Sequence, residues 1–102
     1  MAKLIAIYKQ PADTTAFDTY YFDKHAPLAK TLPGLRSYEV TQGDLMGPAG
    51  KHDAYLVALL EFDSLAAIAA ALNSPQGQAT AADLANFAQA GVDLMMSDTR
   101  SV

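Results

Sequence analysis

Hydrophobic positions change their period several times along this chain, and each change marks an element. Residues 3–9 (KLIAIYK) form a short apolar run ending at Gln10-Pro11, the pattern of a buried strand closed by a breaker. Asp13 then offers a side-chain acceptor at a helix start. Phe17, Tyr21, Leu28 and Leu32 fall on one helical stripe behind it. Pro27 lacks an amide hydrogen and pushes its predecessor away from helical geometry, which predicts a kink or restart near His25 and Ala26. Leu32-Pro33-Gly34 ends the helix.

Residues 35–42 alternate as a second strand, with Leu35 and Ser37 on one side and Arg36, Tyr38 and Val40 on the other. The three glycines and Pro48 of residues 43–50 predict a flexible loop. Residues 54–62 (AYLVALLEF) are apolar on both faces, as expected of a central strand covered on both sides. Asp63 and Ser64 can cap a helix carrying Leu65, Ile68 and Leu72, and Ser74-Pro75 opens another helical piece. Leu84 and Phe87 continue it, Gly91 breaks it, and residues 92–96 read as a last strand.

This order is βαββαβ, an α+β chain of the ferredoxin-like sandwich class, with helices on one face of the sheet. Helices cover only one of the two apolar sets on the third strand: Tyr55, Val57 and Leu59, or Leu56, Leu60 and Phe62. The remaining set predicts a second layer, supplied by another copy of the chain in a homodimer.

Length and composition narrow the function. A chain of 102 residues predicts a single domain spanning 1–102. Seven Lys and Arg against eleven Asp and Glu give a formal charge of −4 with no basic run, which argues against a nucleic-acid partner. Cysteine is absent, so there is no disulfide framework or thiolate site, and the cytoplasm is the expected location. The apolar N-terminal run is too short to span a membrane. No HxH or HExxH spacing is present, so no metal is expected, and the glycine loop lacks a phosphate-cradling pattern.

The segment Tyr21-Phe22-Asp23-Lys24-His25-Ala26-Pro27-Leu28, followed by Leu32-Pro33-Gly34-Leu35-Arg36 and then Tyr38, resembles the EthD family, named for a gene linked to ethyl tert-butyl ether degradation. The shared pattern is Tyr, three residues, His, one residue, Pro-Leu, then Leu-Pro-Gly and a strand tyrosine. The resemblance implies a dimeric α+β barrel, in which the sheets of two ferredoxin-like subunits face each other. Its superfamily includes muconolactone and methylmuconolactone isomerases, cofactor-independent monooxygenases and polyketide cyclases. By resemblance to the methylmuconolactone methylisomerases, His25, Tyr38 and His52 would sit in a substrate pocket. Those isomerases also bring a cysteine to the pocket, and this chain has none.

Among individual residues, His25 is the candidate general acid/base, because an imidazole titrates near neutral pH. Its alternative is structural, bonding a backbone carbonyl freed at Pro27. Tyr38 would orient a substrate carbonyl or stabilise developing negative charge, or else be a core aromatic. Tyr8, Tyr21 and Tyr55 are candidate substrate contacts in an aromatic-lined pocket. Arg36 would clamp a carboxylate or pair with a nearby acid such as Glu39 or Asp23. His52 would complete an acid/base pair with His25, or lie solvated in its loop. The expected function is cofactor-free acid/base chemistry on a small hydrophobic or aromatic molecule: lactone isomerisation, or oxidation or cyclisation of an aromatic or polyketide-like compound. The alternative is a non-catalytic ligand-binding or accessory protein of a degradation pathway.

Overall fold

The computed structural model describes the whole chain, Met1–Val102. Its elements run β1 (Ala2–Tyr8), α1 (Thr14–Tyr20), a π-helical turn (Tyr21–His25), α2 (Ala26–Ala29), β2 (Ser37–Val40), β3 (Met46–Gly47), β4 (Gly50–Lys51), β5 (Leu56–Phe62), α3 (Leu65–Asn73), α4 (Pro75–Asp83), a 3-10 turn (Leu84–Asn86) and β6 (Val92–Asp98). Four strands make one antiparallel sheet in the order β2-β5-β1-β6. With the helices packed on one side, this is the ferredoxin-like α+β sandwich that the hydrophobic pattern predicts. The predicted loop at residues 43–50 differs in detail, since β3 and β4 pair there as a small hairpin.

Local chemistry sets the helix starts. Asp13 accepts from the Ala16 amide, Ser64 from Ala67 and Ser74 from Gly77, so α1, α3 and α4 each have a side-chain N-cap, while α2 continues from the π-helical turn without one. Gly77 also matters for packing, because a Cβ there would lie 2.1 Å from the Ala71 carbonyl oxygen. Only glycine lets α4 start this tightly against the end of α3.

The break predicted at Pro27 is a π-helical turn just before it, with the Ala26 amide donating to the Tyr21 carbonyl. Pro27 has no amide hydrogen to continue the regular ladder, and the wider turn absorbs the mismatch. One consequence corrects the predicted stripe. The extra residue per turn carries the buried face through Phe17, Tyr21, His25, Ala29 and Leu32, while Leu28 rotates to a half-exposed position.

The strands alternate as expected. Leu4, Ala6 and Tyr8 of β1 and Leu56, Ala58, Leu60 and Phe62 of β5 are buried under the helices. Lys3, Ile5, Ile7, Val57, Leu59 and Glu61 point to the other face and are only half-buried. No element crosses that face, and the molecule is a slab 17 Å through its thinnest dimension. No helix is long and apolar enough to cross a membrane.

Candidate functional site

Ala6 and Ala58 face each other across β1 and β5, and Leu94 of β6 faces Ala6 on the other side. These small side chains leave space between the sheet and the helices. A cavity of about 90 Å³ occupies it, lined by Tyr8, Tyr21, His25 and Tyr38 among aliphatic residues. Apart from His25 and Thr80 every lining residue is hydrophobic. The cavity reaches β6, where Leu94 and Met96 line it while remaining 53% and 42% exposed.

His25 is 4% exposed and is wedged against Phe87, with ring centroids 4.6 Å apart, and against Tyr21. Its Nδ1 lies 2.9 Å from an Asp83 carboxylate oxygen. Asp83 sits at the end of α4, and its other oxygen accepts from the Tyr20 hydroxyl at 2.6 Å and from the Asn86 amide at 3.0 Å. Burial pushes the Asp83 carboxyl upward, but these three partners outweigh it and hold the group below the usual carboxylate range. An ionised carboxylate requires a proton on Nδ1, so the basic lone pair is on Nε2, which bonds to no group of the chain. Burial also pulls the His25 pKa down, more strongly than Asp83 raises it. The imidazole is therefore neutral at pH 7 and ready to accept a proton.

The tyrosines supply donors. The Tyr21 and Tyr38 hydroxyls are 2.5 Å apart. Burial raises the pKa of Tyr8, Tyr21 and Tyr38, so all three remain protonated phenols. The Tyr8 ring meets Tyr21 edge-on at 5.5 Å and also contacts Phe17 and Phe87, so the wall behind the hydroxyls is a packed aromatic cluster.

Four of the seven residues singled out in the sequence thus converge: His25, Tyr8, Tyr21 and Tyr38. Three lie elsewhere. His52 is exposed in the loop after β4, where its Nδ1 accepts from the Ala54 amide. Arg36 is exposed at the start of β2 and forms a two-pronged ion pair with Asp63, an acid other than the two suggested by the sequence. Tyr55 donates to Asp18 at 2.7 Å, and burial together with this bond pushes its pKa up to about 12. It lines a separate polar cleft beside the β3–β4 hairpin. No group of three or more His, Asp or Glu side chains gathers anywhere.

Sequence reasoning missed Asp83, although a signal existed. It is the only ionisable residue in the alanine-rich stretch of residues 64–92. A lone acid at the end of a helix packed over the sheet has few roles other than a specific partner.

Comparison with known proteins gives a consistent picture. Residues 9–91 match the EthD domain family. A Rhodococcus erythropolis protein, described as an uncharacterized 11.0 kDa protein in the thcB-thcC intergenic region, is 37% identical over 102 residues, covering all of this chain and 98% of that one. An ethyl tert-butyl ether degradation (EthD) family protein from Bacillus halodurans superimposes with TM-score 0.89 at 37% identity, over 98% of this chain and 99% of that one. Two more distant structures share the fold alone. SnoaB, a cofactor-independent oxygenase from Streptomyces nogalater, matches with TM-score 0.68 at 14% identity over 99% and 94% of the two chains. A dimeric ferredoxin-like protein of unknown function from Thermobifida fusca matches with TM-score 0.67 at 16% identity over 96% and 90%.

Proposed function

The chain belongs to the EthD family, and from that premise we propose that it is a cofactor-independent enzyme performing acid/base chemistry on a small hydrophobic or aromatic molecule. The observation that carries this reading is the neutral, buried His25, held through Nδ1 by Asp83 beside an apolar cavity that also holds the Tyr21–Tyr38 hydroxyl pair. Nε2 of His25 removes a proton next to a carbonyl, and the imidazolium that forms is stabilised by Asp83. A tyrosine hydroxyl from the Tyr21–Tyr38 pair donates to the oxygen on which negative charge develops. The proton then returns from Nε2 to another atom of the same molecule, which is isomerisation, or the enolate carbon attacks a second carbonyl carbon of the same molecule and closes a ring, with Nε2–H protonating the new alkoxide. Oxidation would take dioxygen as the added electron acceptor. The fold shared with SnoaB supports chemistry without a cofactor as one use of this scaffold.

The working unit we propose is a homodimer of single EthD-like domains spanning 1–102, in the cytoplasm, with the two bare sheet faces packed together as a dimeric barrel. The half-exposed Ile5, Ile7, Val57 and Leu59 support it, as do dimeric neighbours of the same fold. His52, Arg36 and Tyr55 are assigned no part in the His25 chemistry.

The test is hydrogen–deuterium exchange at the carbon beside the carbonyl, followed by NMR for a panel of aryl ketones and lactones in deuterated buffer. The wild-type protein accelerates exchange for at least one member, and His25→Gln loses on the order of 10²–10⁴-fold of that rate. Saturable binding without exchange would support instead the non-catalytic ligand-binding reading, which the almost wholly apolar cavity lining also fits.

A further inference from the structure

The chain carries seven lysine and arginine side chains, and none of them lines the His25 cavity. Three are committed to acids elsewhere. Lys3 pairs with Glu61 on the opposite sheet face, Arg36 with Asp63 at the surface, and Lys51 with Asp44 in the hairpin loop. The formal charge beside the cavity is the Asp83 carboxylate behind His25. An anion entering this space gives up its water, meets no counter-charge and faces Asp83 across a neutral ring, an arrangement that disfavours it strongly.

The hydrogen-bonding inventory points the same way. The three tyrosines that line the cavity, Tyr8, Tyr21 and Tyr38, bring three hydroxyl hydrogens and use one on the Tyr21–Tyr38 bond, which leaves hydroxyl hydrogen to donate to a ligand oxygen. Nε2 of His25 is an acceptor. A ligand that completes both offers one acceptor oxygen and one hydrogen to give, and needs no charge.

We infer that the cavity selects uncharged molecules that present a carbonyl or hydroxyl oxygen beside a transferable hydrogen, and rejects carboxylates and phosphates of the same shape. This selectivity rests on the site assignment above and narrows its substrate class. Neutrality is set by the absence of any cation among the lining residues, combined with Asp83 at the back.

The test uses acetamide and acetate, which match in shape, differ in charge and are small enough for a cavity of about 90 Å³, titrated into labelled full-length protein at fixed pH while the His25 and tyrosine ring NMR signals are followed. Acetamide is expected to shift His25 and Tyr38 saturably, and acetate to bind there roughly tenfold or more weakly. Acetate binding at His25 as tightly as acetamide would overturn the inference while leaving the site assignment standing. If neither probe perturbs His25 or Tyr38, the site assignment fails and the inference fails with it. A second variant isolates the charge effect: Leu94→Arg places a cation at the exposed mouth of the cavity without touching the core. It should strengthen acetate binding roughly tenfold, and no gain would overturn the electrostatic argument.

Discussion

Asp83 holds the Nδ1 edge of His25 at 2.9 Å while a tyrosine and an asparagine hold Asp83 itself. The carboxylate is fixed from two sides, so its orientation dictates which imidazole nitrogen faces the cavity. Asp83→Asn keeps the shape but offers either an amide donor or a carbonyl acceptor to the ring. The neutral tautomer population should change, visible in the His25 nitrogen chemical shifts. Any proton transfer through Nε2 should fall on the order of 10²-fold or more. Unchanged nitrogen shifts would mean that Asp83 does not position the ring.

Burial lowers the His25 pKa from its ordinary 6.5, which makes stability depend on pH in a defined direction. Above 6.5 the folded and unfolded chains both carry neutral imidazole. Below it the unfolded chain takes up the proton first, so stability falls as pH drops until the folded His25 titrates too. The slope from this one group reaches at most about 1.4 kcal/mol per pH unit. Asp83, whose pKa is lowered from 3.8, adds a second loss only below that value. Urea midpoints at pH 7.5 and 5.5 should therefore fall on acidification in the wild type and fall less in His25→Gln. Equal pH dependence in the two proteins would remove His25 as the cause.

Tyr21 and Tyr38 satisfy one another inside an apolar wall. Tyr21→Phe leaves the Tyr38 hydroxyl to find another partner in the same cavity, and should cost about 1–2 kcal/mol. Changing both to Phe removes the orphan as well as its partner. The double variant should thus be less destabilised than the two single losses summed, by an interaction of about 0.5–3 kcal/mol in a double-mutant cycle. Simple additivity would indicate that the hydroxyls are independently hydrated.

Much of the fold was legible because it is written locally. Asp13, Ser64 and Ser74 act as caps within three residues of the amides they bind, and the period-two alternation of β5 follows from burial on a pleated surface. Pro27 announced an irregular turn, but not that the turn would be π-helical, nor that it would move His25 onto the buried stripe in place of Leu28. The site was half legible. His25, Tyr21 and Tyr38 lie within one motif-bearing stretch, whereas the partner of His25 is 58 residues away. Nothing local to either residue encodes that pairing. It depends on Gly77 seating α4 against α3, a tertiary fact. The cavity itself was hidden in Ala6 and Ala58, which read as ordinary strand residues until the register sets them opposite each other.

Leu59 offers the test of the proposed dimer. It projects from the centre of the bare sheet face, where Ile5 is its partner on β1 and Glu39 its partner on β2. In Leu59→Lys the new ammonium has Glu39 beside it and water in front, so the isolated subunit keeps its fold at a cost of less than about 1 kcal/mol. A second copy packed against that face would instead bury the charge without room to hydrate it, at a penalty of several kcal/mol per lysine. Sedimentation equilibrium at micromolar concentration should give twice the 10.8 kDa chain mass for the wild type and the single-chain mass for the variant. The His25 cavity lies on the other side of the sheet, so the His25 and tyrosine signals should be nearly unchanged in the variant. A wild type that sediments as a monomer would rule out the barrel. A variant that stays dimeric would move the interface to another surface, with the exposed edge of β6 around Leu94 and Met96 the next to test.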